Sequence, residues 1–180
     1  LNPVSMHSCH DEVGWKITLA NTGELTLKGG RLKRVEKFIE GDTFMLTYGD
    51  GVSNVDIEKL VEFHHSHGKV ATLTGVNPIS RFGELKIDGA SVKSFQEKPQ
   101  VEDGGLINGG FFVFNRKIFD YLTEDENCDL EYGALERLAK EGQLMVYEHR
   151  DFWYCMDTLR DTEKLNKMWK EANAPWKVWG

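Results

Sequence analysis

Two acidic residues, far apart in the chain, carry the types and surroundings that chemistry needs. Asp50 stands between Gly49 and Gly51, at the end of the apolar run Phe44-Met45-Leu46-Thr47-Tyr48. Asp157 closes the aromatic segment Phe152-Trp153-Tyr154-Cys155-Met156. A short apolar run stopped by glycines reads as a strand buried on both faces. In an open parallel sheet, ligands sit just outside the carboxyl ends of such strands. Asp50 is therefore expected at a strand tip, where neighbours without Cβ let a phosphate or metal ion approach the backbone. A hard cation such as magnesium takes carboxylate oxygen and keeps other positions for water and phosphate. The plainer readings are a tight turn at Asp50 and, for Asp157, the cap of a helix starting near Thr158.

Other segments add candidates. Gly29-Gly30 precedes Arg31, and Leu32, Val35, Phe38 and Ile39 recur at helical spacing. A helix opening in this way can offer N–H groups and a guanidinium to a phosphate, or be a plain loop-to-helix junction. Lys98 ends a predicted strand between Glu97 and Pro99, and is either a phosphate clamp or a surface charge. Asn108-Gly109-Gly110 interrupts an apolar strand. Glycine there marks a bulge or the close approach of a ligand, and Asn108 can both donate and accept. His7, Cys9 and His10 match no zinc spacing. His64, His65 and His67 read as helix-end residues, favoured there by the helix dipole.

The elements that must position these residues follow in order. Trp15 to Leu19 alternates as a strand, and residues 31 to 39 form an amphipathic helix. A strand from Thr43, a helix bearing Ile57, Leu60, Val61 and His64, and a strand over Lys69 to Val76 make a βαβ unit, which predicts parallel pairing. Glu84 to Ile87 and Ala90 to Glu97 form a hairpin around Asp88-Gly89. Leu106 to Phe114 is a long strand. Helices follow at Arg116 to Leu122 and Leu130 to Lys140, then a strand at Leu144 to Glu148 and a helix from Thr162 to Ala172. The tail tryptophans, Trp176 and Trp179, need a surface to cover them. The expected fold is α/β: one domain over residues 1–180, a mostly parallel central sheet with helices on both faces, and a small β-hairpin region.

Composition narrows the classes. The net charge is -7, which argues against a general nucleic-acid binder. With 40% hydrophobic and 28% charged residues the chain reads as globular. No apolar run is long enough to cross a bilayer. Cys9, Cys128 and Cys155 are odd in number and far apart, as expected of reduced cytoplasmic thiols.

Five segments, taken in order, resemble one family. Thr47-Tyr48-Gly49-Asp50-Gly51, Arg81-Phe82-Gly83, Phe95-Gln96-Glu97-Lys98-Pro99, Ile107-Asn108-Gly109-Gly110-Phe111-Phe112 and Met156-Asp157-Thr158 resemble the sugar-1-phosphate nucleotidylyltransferases. Gly29-Gly30-Arg31-Leu32-Lys33-Arg34, Phe152-Trp153 and Ala174-Pro175-Trp176-Lys177 look like the branch that pairs CTP with glucose 1-phosphate. The family opens with a strand and a Gly-x-Gly-Thr-Arg loop that is absent here, so the chain is expected to be the C-terminal portion of a longer, Rossmann-like enzyme, inactive by itself.

The resemblance implies cytidylyl transfer from CTP to glucose 1-phosphate, giving CDP-glucose for dideoxysugar and O-antigen precursors in a cytoplasmic homo-oligomer. It implies that Asp50 and Asp157 hold Mg2+, and that Lys98 clamps the sugar phosphate. Glu97, Asn108, Gly109 and Gly83 match positions that read the sugar. Gly49 and Gly51 leave room for nucleotide, and Arg31 reaches a phosphate. The alternatives are a non-catalytic sugar-phosphate-binding or oligomerisation module, and a thymidylyl- or uridylyltransferase of the same family. A glycosyltransferase would show two aspartates close in sequence, which Asp50 lacks.

Overall fold

The computed structural model of the protein describes residues 15–78, 83–97 and 105–179. Helix α1 (Lys28–Val35) continues as a 3-10 turn (Glu36–Phe38). Strand β1 (Thr43–Thr47), strand β2 (Gly51–Ser53), helix α2 (Ile57–His67) and strand β3 (Ala71–Val76) follow. Strands β4 (Gly83–Asp88) and β5 (Ser91–Glu97) make the hairpin, and β6 (Ile107–Asn115) is the longest strand. A 3-10 helix (Arg116–Tyr121), a π-helical turn (Leu130–Leu135), helix α3 (Glu136–Lys140), strands β7 (Leu144–His149) and β8 (Trp153–Cys155) and helix α4 (Leu159–Lys170) complete it.

The central sheet has the order β1-β6-β3-β7. Strand β6 runs antiparallel to both β1 and β3, whereas β3 and β7 are parallel. Three of the four strands therefore share one direction, as expected for a mostly parallel sheet. The βαβ unit differs from expectation in one respect: β1 and β3 run the same way but are not neighbours, because β6 lies between them. Among the described residues no strand pairs with the other side of β1, which is an edge strand there, with Met45 exposed, rather than buried on both faces.

Alternation along the strands builds a core on each side of the sheet. Ala71, Phe112 and Phe114 face a cluster with Leu32 of α1, Ile118, Phe119, Leu130 and Leu138. Each large side chain buried there contributes roughly 1.5–3 kcal/mol. On the other face α2 lays Leu60 and His64 against the sheet, and His64 Nδ1 meets Thr72 Oγ1 at 2.9 Å.

Local departures have identifiable causes. Helix α1 starts at Lys28, so Gly29 and Gly30 lie inside its first turn instead of ahead of it. A Cβ on Gly29 would come 2.7 Å from the Cys128 carbonyl oxygen, and one on Gly30 would come 2.4 Å from that of Asp125. The glycines thus let the helix lie on the 125–129 loop, and the Gly30 N–H donates to the Cys128 carbonyl at 2.9 Å. That N–H is not available to a phosphate. Trp15, Ile17 and Leu19 are exposed and join no sheet among the described residues, in contrast to the expected strand. Trp176 stacks on Phe152 with ring centroids 5.5 Å apart, so the tail packs back on the body. The His7, Cys9 and His10 group lies outside the described residues.

Candidate active site

Two short strands bring the acidic residues together. Strands β2 and β8 pair antiparallel, with Gly51 opposite Cys155 and Ser53 opposite Trp153. One residue beyond this ladder the Met156 N–H donates to the Asp50 carbonyl at 2.7 Å. Asp50 and Asp157 are both exposed, and a carboxylate oxygen of each lies with Cys155 Sγ in a set of atoms all within 4.8 Å of one another.

Asp157 does not cap the following helix. Thr158 does, through a reciprocal box in which its hydroxyl accepts from the Asp161 N–H at 3.2 Å and Asp161 Oδ2 accepts from the Thr158 N–H at 3.0 Å. Asp157 therefore stands just ahead of the N-terminus of α4, where the helix dipole favours negative charge. The Cys155 thiol donates to Asp157 Oδ1 at 3.0 Å. Burial, that bond and the charges of Asp157 and Asp50 push the thiol up to about 12, so it stays neutral near pH 7.

Two close carboxylates repel unless a cation joins them. Their oxygen donors and their exposure suit a hard divalent ion that keeps water and phosphate among its ligands. The neutral, soft thiol is the one member of the set that such an ion does not seek.

The glycines beside Asp50 are not required by the backbone or by packing. Neither has a left-handed φ. Among the described residues a Cβ on Gly49 would meet nothing within 4 Å, and one on Gly51 would make only ordinary contacts with the Trp153 indole and the Gly109 carbonyl. Space is open at the strand tip. Gly109, by contrast, is a packing glycine, since its Cβ would lie 2.7 Å from Val76 Cγ1. Its carbonyl accepts from Trp153 Nε1 at 2.8 Å, tying β6 to β8.

Asn108 stands at the start of β6, where the register against β3 shifts between Leu73 and Gly75. Its Oδ1 accepts from the Gly110 N–H at 2.9 Å, and its Nδ2 donates to the Tyr48 hydroxyl at 3.4 Å. Tyr48 in turn donates to Glu131, which is ion-paired with Lys28. Burial first, then the bond to Glu131, raises the Tyr48 phenol above its ordinary value of 10. Lys28, Tyr48, Glu131 and Cys155 are absent from the set picked out by sequence. Tyr48 looked like one more strand aromatic, and nothing near Glu131 marks it as facing a residue so distant in the chain.

The remaining candidates are dispersed. Gly83 and Glu97 face each other at the open end of the β4–β5 hairpin. Lys98 lies outside the described residues. Arg31 turns its guanidinium back to the segment ahead of α1, donating to Thr22 Oγ1 and the Glu24 carbonyl, each at 2.9 Å.

Comparison with known proteins gives this geometry its context. Residues 16–172 match the model of the nucleotidyl transferase family. The chain belongs to that family. Among nucleotidyl transferase relatives, it is 48% identical over 166 residues to glucose-1-phosphate cytidylyltransferase of Salmonella typhi, and equally to that of Salmonella typhimurium. The match covers 92% of this chain and 64% of each relative, so the chain spans under two thirds of their length. The crystal structure of HddC from Yersinia pseudotuberculosis superposes with a TM-score of 0.57 at 26% identity, covering 81% of this chain and 64% of that one. A nucleotidyl transferase domain handles anionic phosphates, and carboxylates such as Asp50 and Asp157 can face a phosphate favourably only with a cation between them.

Proposed function

We propose that the protein transfers a cytidylyl group from CTP to glucose 1-phosphate, forming CDP-glucose and releasing pyrophosphate. The observation that carries this reading is the meeting of Asp50 and Asp157 beside an open strand tip, in a chain 48% identical to cytidylyltransferases. A phosphate oxygen of the sugar phosphate attacks the α-phosphorus of CTP. The bond to the bridging oxygen breaks, and pyrophosphate leaves with the electron pair. The nucleophile is already an anion, so no general base is needed. The barrier lies in aligning two polyanions and offsetting their charge.

Magnesium, held by Asp50 and Asp157, supplies that neutralisation when bound. The chain's own residues supply placement. Gly49 and Gly51 leave the strand tip clear for nucleotide. Asn108, exposed at the start of β6, offers its amide to the sugar with Gly109 beside it in the chain, and Gly83 and Glu97 supply paired positions on the hairpin for sugar hydroxyls. Lys98 offsets the charge of the sugar phosphate, and Arg31 serves a phosphate only after leaving Thr22 and Glu24. The same reading makes the enzyme a cytoplasmic homo-oligomer that feeds deoxysugar and O-antigen precursor synthesis, supported by the likeness to the Salmonella enzymes.

Calorimetry with CTP and with glucose 1-phosphate, alongside an assay of pyrophosphate release by the complete protein, tests the proposal. Magnesium-dependent release that requires glucose 1-phosphate and prefers CTP supports it. Binding of glucose 1-phosphate without CTP would instead mark a sugar-phosphate-binding module, and a preference for UTP or dTTP would move the protein to another branch of the family.

A further inference from the structure

We propose that Glu131, acting through Tyr48, is a positioning residue that locks the exposed Asn108 side-chain amide in one orientation, in which it holds a hydroxyl of the sugar phosphate. The inference deepens the function proposed above and rests on it for the identity of the ligand.

The argument is one of donors and acceptors. A phenol has one proton. Tyr48 gives that proton to Glu131, so its oxygen faces Asn108 as an acceptor. Only the NH2 end of the Asn108 amide can satisfy it, and the Nδ2 contact is 3.4 Å. At the other end the Gly110 N–H demands an acceptor, and Oδ1 supplies it at 2.9 Å. Both ends of the amide are therefore dictated, and a flipped amide would fail at both. Asn108 is exposed and keeps one N–H and one lone pair for a ligand.

The far end of the relay is held as firmly. Lys28, at the start of α1, pairs with Glu131 and sits 4.7 Å from the centre of the Tyr48 ring. This holds both the carboxylate of Glu131 and the plane of the phenol in place. Glu131 Oε2 is buried and has no hydrogen-bond partner among the described residues, a cost that packing alone would not select. Glu131 also lies in a π-helical turn, an irregularity frequent at functional sites. Tyr48 is tied to the same strand by its own backbone, since its N–H donates to the Gly110 carbonyl at 3.0 Å. The relay thus joins α1, the end of β1, β6 and the π turn around one exposed amide.

The test follows the Asn108 amide and the affinity for glucose 1-phosphate in the full chain and in Tyr48→Phe, Glu131→Ala, Asn108→Ala and the double variant Tyr48→Phe/Asn108→Ala. In nitrogen-resolved NMR the wild-type Asn108 NH2 pair is expected to give a displaced, slowly exchanging signal that Tyr48→Phe and Glu131→Ala both lose. Calorimetric affinity is expected to fall about tenfold in Tyr48→Phe, and to fall no further in the double variant than in Asn108→Ala alone. An Asn108 signal indifferent to Tyr48→Phe overturns the inference, and so does an additive loss in the double variant. A wild-type chain that binds no glucose 1-phosphate overturns the substrate reading and the ligand named here. The amide signal then still decides whether the relay exists.

Discussion

The backbone N–H of Met156 donates to the carbonyl oxygen of Asp50 at 2.7 Å. This bond joins two strand ends that are distant in sequence, and it sets the side chains of Asp50 and Asp157 side by side. The carboxylates meet because their backbones are tied through β2 and β8, not because they attract. Their mutual repulsion is carried by the fold, and a cation entering between them would relieve it.

Removing either carboxylate therefore separates stability from activity. Asp50→Ala or Asp157→Ala in the complete protein is expected to leave the circular dichroism spectrum intact and the melting temperature equal or slightly raised, because both residues are exposed. Magnesium-dependent pyrophosphate release is expected to fall on the order of a hundredfold or more. Retention of that release would refute the assignment of the two aspartates.

The thiol beside them supplies an independent probe of the same electrostatics. Burial and the neighbouring acids hold Cys155 at about 12, and the thiolate is the form that alkylates. Mass-resolved labelling with iodoacetamide at pH 8 is expected to modify Cys155 far more slowly than an ordinary exposed thiol. Asp157→Asn removes one of the charges that raise it and is expected to speed the reaction. Rapid labelling of Cys155 in the wild type would contradict the geometry of the cluster.

Where sequence spoke clearly, the signal was local. Alternation in β6, the helical stripe of α2 and the glycines around Asp50 are properties of short windows, and they place a strand tip with open space beside it. The insertion of β6 between β1 and β3 is a long-range pairing that no window contains. Between the two readings of Gly29 and Gly30 no short window can decide, because their crowding comes from Asp125 and Cys128, which lie far along the chain. Asp157 was legible as an acidic residue at a helix start, but only the Thr158–Asp161 box shows that Thr158 takes the capping role.

A buried histidine couples stability to pH. Burial, then the neighbouring His67 and His65, lowers His64 from 6.5 to about 4. Lys69 N–H donates to His67 Nδ1, so His67 Nε2 carries the proton toward Thr72, and the Thr72 hydroxyl points to His64 Nδ1. The network needs His64 neutral. Above the unfolded value both states are neutral and nothing is lost. As pH falls through 6.5 toward 4 the unfolded chain takes up a proton that the folded chain refuses, and stability drops. Urea unfolding is expected to show a loss of about 2 kcal/mol between pH 7.5 and pH 5 from this group. The loss should shrink in His64→Leu, and a profile identical in the two proteins would rule out His64 as its source.

Two glycines near the site allow space reserved for a ligand to be told from space required by the backbone. Gly110 has φ +79°, and a Cβ there would sit 2.9 Å from Tyr48 Cδ2, so Gly110→Ala must strain the backbone and push the ring. A cost of roughly 1–3 kcal/mol is expected, read as a lower urea midpoint. Gly49→Ala meets neither obstacle. Its stability is expected to hold or to rise by up to about 1 kcal/mol, because the unfolded chain loses freedom. Its affinity for CTP in the complete protein is nonetheless expected to fall, because the methyl group occupies the volume left clear beside Asp50. Unchanged CTP affinity in Gly49→Ala would mean that the open strand tip is not where the nucleotide lies.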